Sequence, residues 1–382
     1  MKALLFERSI PRYAAARVAA SVAPGLGARV GPLSLADLDP PELPGEGWVR
    51  VRPRLSGICG SDLATIDGHS SRYFEPIVSF PFVPGHEVVG DLDDDTRIVL
   101  QPTLTCAARA VDPPCDPCAR GETNRCQRTA FGHLQPGLQT GYCADTGGGW
   151  SLALAAHESQ VHRVPDAMAD EAAVMVEPTA CAVHAAGQAG DVGSVAVIGA
   201  GTLGLCTVAA LRRFATPHVL LAAAKHPHQQ QLARDLGADL VVEPDMLPRA
   251  VRRAVPQSLM TGDQLTNGVA TVLDCVGSEA SVALALQVVA PGGTVVMVGM
   301  PGRVSVDLTS LWHREVAVRG AYAYTAADFG RAFELVADSG LGRLVSALYP
   351  LDRYREAVEH AADAGRRGAV KVAFDMRKER RR

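Results

Sequence analysis

From residue 194 onward the chain alternates short apolar strands with helical segments, and few architectures accommodate that pattern. "SVAVIGAG" reads as a buried strand, "TLGLCTVAALRRF" as a helix, "HVLLAAA" as a strand and "PHQQQLARDLGA" as a helix. Farther on, "VATVLDCVG" and "GGTVVMVGMPG" are strands with the helix "SEASVALALQVVA" between them. Such alternation over about 140 residues calls for a parallel sheet covered by helices on both faces. Gly199, Gly201 and Gly204 then form G-x-G-x-x-G at a strand-to-helix turn, with Thr202 and Leu203 inside it. Each glycine has a task there: the tight turn, close approach of backbone to a pyrophosphate, and packing of helix on strand. The N–H groups at the helix start favour phosphate, so a dinucleotide site is expected.

A site that prefers NAD carries an acidic residue about 20 positions beyond the glycines, facing the ribose 2′-hydroxyl. In this chain Ala224 stands in that place, followed by Lys225 and His226. A lysine and a histidine can pair with a 2′-phosphate that a carboxylate would repel. The expected cofactor is NADP(H) rather than NAD(H).

The alternating part leaves more than half of the 382 residues unexplained, and that length suits two domains. Residues 30 to 165 are short apolar runs broken by Gly and Pro, such as "GWVRVRPRLSGI" and "TRIVLQP", which reads as β-rich and loop-heavy. Near the start, "VAASVAPGLGARVGP" reads as a mobile insertion. A net charge of −4 gives no field for nucleic acid or anionic lipid, and the basic run "RKERRR" reads as a solvated terminus. No apolar run reaches a membrane span and no secretion signal is evident, so a cytoplasmic protein is expected, with no nucleic acid or membrane partner.

Nine cysteines in such a chain argue for thiols and metal ligation rather than a disulfide framework. Cys106, Cys115, Cys118 and Cys126 lie within 21 residues of a polar loop, the middle two spaced C-x-x-C. Four thiolates gathered in this way fit a closed, tetrahedral structural zinc site. Cys59 in "GICGSD" and His86 in "PFVPGHE" are of another kind. With a later carboxylate they would give three mixed ligands and leave a position open for water or substrate. Glu177, at the junction of the domains, is the favoured carboxylate, while Glu87 could ligate directly or support His86. Residue type alone also allows a core thiol at Cys59 and a turn histidine at His86.

"GICGSD", "PGHE", the cysteine lobe, "EPTACAVHA", "VIGAGTLG" and "LWHREVAVRGAY" occur in an order that covers nearly the whole chain, and this set resembles the zinc-dependent medium-chain dehydrogenase/reductase superfamily of alcohol, polyol and threonine dehydrogenase type. The resemblance implies an α/β protein: a GroES-like β-rich catalytic domain (residues 1–180, with a structural-zinc lobe at about 102–127) into which a Rossmann doubly wound domain (181–320) is inserted, with 321–382 returning to the first domain. It implies Cys59, His86 and Glu177 as catalytic zinc ligands with Glu87 close by, Ser61 as the hydroxyl that takes the alcohol proton, and the four clustered cysteines as structural ligands. It also implies hydride transfer between NADP(H) and a small alcohol, polyol or carbonyl compound, in a homodimer or homotetramer. Cys106 departs from the pattern by lying farther from Cys115 than the usual two-residue gap. Ala64 departs too, because it stands where some members place a relay histidine. Two other readings on this scaffold are a zinc-independent reductase of activated double bonds or imines, and a non-catalytic nucleotide-binding regulator.

Overall fold

The computed structural model describes residues 1–190, 193–262, 264–300 and 302–379, so the last three arginines of the basic tail lie outside the described residues. The chain divides into two compact units, Met1–Glu177 with Gly340–Arg382, and Pro178–Ser339.

In the second unit six strands form one sheet in the spatial order Leu240–Val242, Val219–Ala223, Ser194–Ile198, Val269–Asp274, Val289–Met297, Ala317–Gly320. All neighbours are parallel. Numbered along the chain this is the doubly wound order 3-2-1-4-5-6, which reverses direction beside its first strand. Ala196, Ile198, Leu221, Val272 and Val295 belong to the core cluster of this unit. The sheet contains the strands expected, but the boundary differs. Helix Ala326–Ser339, expected to return with the first domain, packs on helix Thr202–Phe214 of the second unit, and the return begins at Gly340. Gly340 has φ +65°, a left-handed conformation that glycine adopts without strain.

The sheet of the first unit is mainly antiparallel, in the order Val345–Tyr349, Lys371–Asp375, Trp48–Gly57, Val88–Asp91, Arg97–Leu100, Val161–Arg163, with Leu154–His157 pairing the start of Trp48–Gly57. Its central strand brings three distant segments to one end. Gly57 N–H donates to the Glu87 carbonyl at 2.9 Å, and Ile58 N–H donates to the Val372 carbonyl at 3.0 Å. Residues 58–59, 86–87 and 371 are therefore neighbours.

The amino-terminal insertion is helical and tied to the first unit. Ile10–Val22 and Gly27–Val30 are helices, and the Asp67 carboxylate accepts the backbone N–H groups of Gly25 at 2.8 Å and Gly27 at 3.0 Å. A side chain at Gly27 would place its Cβ 2.4 Å from the Ile66 carbonyl oxygen. No helix among the described residues is long and apolar enough to cross a membrane.

Candidate metal centres and cofactor loop

Cys59 occupies the N-cap position of helix Gly60–Ile66, where the Asp62 carboxylate accepts its N–H at 2.9 Å. His86 and Glu87 precede strand Val88–Asp91 and are 4 % and 1 % exposed. Their turn depends on glycine: Gly85 has φ +96°, and a Cβ there would meet Trp150 Cδ1 at 2.4 Å. Gly57 matters equally, because a Cβ on it would lie 1.8 Å from Glu87 Oε2. The result is that ligand atoms of Cys59, His86 and Glu87 all lie within 4.8 Å of one another. Glu177 is buried and close enough to act on the charge of Lys371, but it is not one of these three.

Three residues that sequence reasoning did not assign complete the surroundings. Asp62 Oδ1 lies 3.5 Å from His86 Nδ1, a carboxylate beside the imidazole. Burial pushes the His86 pKa down, but the Asp62 carboxylate and the Cys59 sulfur outweigh it and raise it well above the usual imidazole value. Lys371, 2 % exposed, pairs through Nζ with Glu87 Oε2 and donates to the Ile58 carbonyl at 3.1 Å. Burial lowers its pKa, yet Glu87, Cys59 and Glu177 hold it above the ordinary amine value. Tyr142, the third, donates to Asp62 Oδ1 at 3.3 Å. Glu87 and Glu177 are thus buried near Lys371, and Asp62 is buried beside His86. A dication suits that excess of negative charge and the mixed sulfur, nitrogen and oxygen donors.

Lys371→Met should expose how much the lysine matters. It keeps the bulk and leaves Glu87 as an uncompensated buried charge, so urea unfolding of metal-depleted protein is expected to show a loss of about 3–5 kcal/mol. Zinc-replete protein should lose less, since the ion can take over the carboxylate.

The second cluster is local. Sγ of Cys106 lies 3.6 Å from that of Cys115 and 3.8 Å from that of Cys126, and Cys118 completes the group within 4.8 Å. Zn–S bonds of about 2.3 Å in a tetrahedron place sulfurs about 3.8 Å apart, so the spacing fits that ion. Backbone N–H groups point at the sulfurs: Cys115 N at Cys106 Sγ (3.4 Å), Gln127 N at Cys115 Sγ and Arg128 N at Cys126 Sγ (both 3.5 Å). Burial raises the Cys115 pKa, but N–H groups of Gln127 and Cys118 bring it down to about 7. The long Cys106–Cys115 gap folds back on itself, with Val111 N–H on the Cys106 carbonyl at 3.0 Å. Fully buried Arg109, inside that gap, donates to carbonyls of Leu104, Phe131, Leu134 and Gln135 at 3.1–3.3 Å.

In the second unit Gly199 has φ +91°, and a Cβ on Gly204 would stand 1.8 Å from the Gly199 carbonyl oxygen. Gly201 caps helix Thr202–Phe214 and faces no atom within 4 Å of its would-be Cβ, the open approach a phosphate needs. Thr202 and Leu203 form the first turn of that helix. Ala224, 1 % exposed, follows strand Val219–Ala223; Lys225 is exposed, and His226 caps helix Pro227–Asp235 with its ring stacked 5.9 Å from that of His228.

Residues 45–166 match the alcohol dehydrogenase GroES-like domain family and residues 202–338 the zinc-binding dehydrogenase family. A protein of Arthroderma otae named as a D-xylulose reductase is 31 % identical over 312 residues, 78 % of this chain and 80 % of that protein. The sorbitol dehydrogenase of Arabidopsis thaliana is 27 % identical over 343 residues, 86 % of this chain and 88 % of that one. Among solved structures, a zinc-binding dehydrogenase of Sinorhizobium meliloti 1021 bound to NADP superimposes with a TM-score of 0.71 at 25 % identity, covering 90 % of this chain and 96 % of that one.

Proposed function

Because this chain belongs to the zinc-dependent medium-chain dehydrogenase/reductase superfamily and is an oxidoreductase of dehydrogenase type, we propose that it moves hydride between NADP(H) and a polyol or the matching ketone, with one catalytic and one structural zinc. The convergence of Cys59, His86 and Glu87 on one buried point carries this reading. A reductase of double bonds would have no use for that donor set.

Cys59, His86 and Glu87 hold the catalytic ion, with Glu177 as the nearby carboxylate that adds negative charge. When bound, the ion lowers the pKa of the substrate hydroxyl. Asp62 places a carboxylate beside the His86 ring. Ser61, half-buried in the first turn of helix Gly60–Ile66, takes up the substrate proton. Gly199, Gly201, Thr202, Leu203 and Gly204 seat the pyrophosphate, and Lys225 with His226 pairs the 2′-phosphate. The hydride chemistry belongs to the nicotinamide.

A screen of sugar alcohols with NADP⁺, read by NADPH absorbance, tests the activity. The double substitution Ala224→Asp with Lys225→Ala tests the cofactor assignment. It is expected to shift the NADP⁺/NAD⁺ ratio of kcat/KM at least about tenfold toward NAD⁺, since a charge-assisted bond is worth about 1.5–3 kcal/mol and a carboxylate repels the phosphate. An unchanged ratio would show that this loop does not read the 2′ position.

A further inference from the structure

The helix that begins beside Cys59 ends on a carboxylate, which its own dipole disfavours: Asp67 is the C-cap of Gly60–Ile66, at the negative end. That charge is offset from elsewhere. Asp67 is 6 % exposed, and its Oδ2 and Oδ1 accept the N–H groups of Gly25 and Gly27 in the amino-terminal insertion. The next residue lies just as close to the insertion: Gly68 has φ +72°, and a Cβ on it would stand 2.9 Å from the Tyr13 carbonyl oxygen and 3.0 Å from Arg17 Cβ. Farther along, Tyr13 Oη reaches the Ser70 carbonyl at 3.5 Å, and Arg8 Nη2 donates to Glu75 Oε1 at 2.8 Å. The insertion thus grips the following segment at Asp67, Gly68, Ser70 and Glu75.

That segment borders the candidate catalytic centre. Ser70 Oγ lies 2.8 Å from Thr65 Oγ1 on helix Gly60–Ile66, and Thr65 Oγ1 lies 3.4 Å from the oxygen of Tyr142, whose ring centroid is 6.0 Å from that of His86. At the far end Val78 bridges Gly137 and Ser79 Oγ accepts the Ala144 N–H at 2.8 Å, on either side of Tyr142. Residues 69–77 are therefore strung between the insertion and the chain around Tyr142. His69, Arg72 and Tyr73 in this stretch are exposed, so hydrogen-bonding groups stand beside the centre without being buried in it. We propose that the insertion is a selectivity clamp: by holding Asp67 it fixes residues 69–77 as the wall that meets the far hydroxyl groups of an extended sugar alcohol. The proposal rests on the polyol reading given above, and it makes Asp67 a positioning residue.

The reacting carbon and its oxygen are handled at Cys59, His86 and Glu87, whereas hydroxyl groups several carbons away need partners fixed at a distance. If the segment had to be ordered on binding, every residue in it would cost conformational entropy that the new bonds must first offset. The clamp supplies that order in advance. A substrate too short to reach residues 69–77 gains nothing from it, so loosening the clamp discriminates by substrate length and leaves the hydride step and the cofactor loop alone. Buried N–H groups on a carboxylate are the strongest of the ties, which singles out Asp67.

Asp67→Ala removes both bonds, Asp67→Asn keeps one acceptor oxygen, and the double substitution Arg8→Ala with Tyr13→Phe loosens the segment without touching a buried charge. Zinc content, melting temperature and the rate of tryptic cleavage after Arg72, read by mass spectrometry, would be measured for each. Alongside them, kcat and KM with NADP⁺ would be measured for the best sugar alcohol of the screen and for propylene glycol. With zinc unchanged, Asp67→Ala and the double variant are expected to raise KM for the sugar alcohol about tenfold and to speed cleavage after Arg72 about tenfold, while kcat, kcat/KM for propylene glycol and KM for NADP⁺ move no more than about twofold. Asp67→Asn should recover to within about threefold of wild type. A sugar-alcohol KM at the wild-type value in both loosened variants, whatever the cleavage rate, would overturn the clamp, as would equal losses on the two alcohols. Should Asp67→Ala fail to fold, the double variant alone carries the test. If wild type oxidises neither alcohol, the functional reading fails and takes the selectivity with it.

Discussion

Cys59→Ser protein is expected to keep the melting temperature of the parent, to hold about one zinc per chain instead of about two, and to oxidise its polyol at least about 10³-fold more slowly. The fold should survive because residue 59 sits at a helix N-cap, a place where serine is among the preferred residues, and because the backbone bond from residue 59 to Asp62 does not involve the side chain. What changes is the donor: a hydroxyl is a far poorer ligand than a thiolate at neutral pH. Without the ion, about 4 kcal/mol or more of charge stabilisation on the substrate oxygen is lost, which sets the size of the rate effect. Activity assay, calorimetry and metal analysis of one preparation check all three expectations together. Wild-type turnover with one zinc missing would separate the reaction from this site.

Cys115→Ser should produce the opposite pattern. Residue 115 also stands at a helix N-cap, so serine again spares the local turn. Yet the surrounding lobe is held by backbone groups aimed at sulfur and by whatever those sulfurs jointly grip. Its gap segment is held inward by Val111 N–H on the Cys106 carbonyl and by Arg109 on the carbonyls of Leu104, Phe131, Leu134 and Gln135. A structural zinc contributes folding free energy outright, and losing one is among the few single changes that cost about 4 kcal/mol or more. The melting temperature is therefore expected to fall by about 8–16 °C, zinc to drop to about one per chain, and limited proteolysis to open the lobe near residues 102–127. Protein that melts and resists protease like the parent would show that the cluster needs no ion.

These paired expectations come from features that differ in how plainly the sequence displays them. The cysteine lobe and the glycine loop are legible because their partners are close along the chain: four thiols within a short loop, and a Gly204 that must clear the Gly199 carbonyl. Cys59 and His86 are legible only through the resemblance carried by "GICGSD" and "PGHE", since residue type alone leaves a core thiol and a turn histidine open. Lys371 is not, because nothing near it in sequence hints at Glu87; the pair exists only because Lys371–Asp375 and Val88–Asp91 flank the same central strand. Tyr142 is hidden for the same reason, because its partner Asp62 is remote in sequence. The amino-terminal helices were obscured by composition. Helix Ile10–Val22 buries only Ala16 of its residues, and its anchorage comes from Asp67 through the glycines that follow it, which gives no apolar periodicity to read. The late boundary at Gly340 has a related cause: helix Ala326–Ser339 buries Phe329, Ala332, Leu335 and Val336 within the second unit, and no sequence pattern says which sheet a helix will cover.

Anomalous diffraction at the zinc edge from crystals grown with ample zinc addresses the centre of the account most directly. The expected map has one peak enclosed by Cys106, Cys115, Cys118 and Cys126 and a second touching Cys59, His86 and a carboxylate. A map with the first peak alone, in crystals of protein that still turns over polyol, would contradict it.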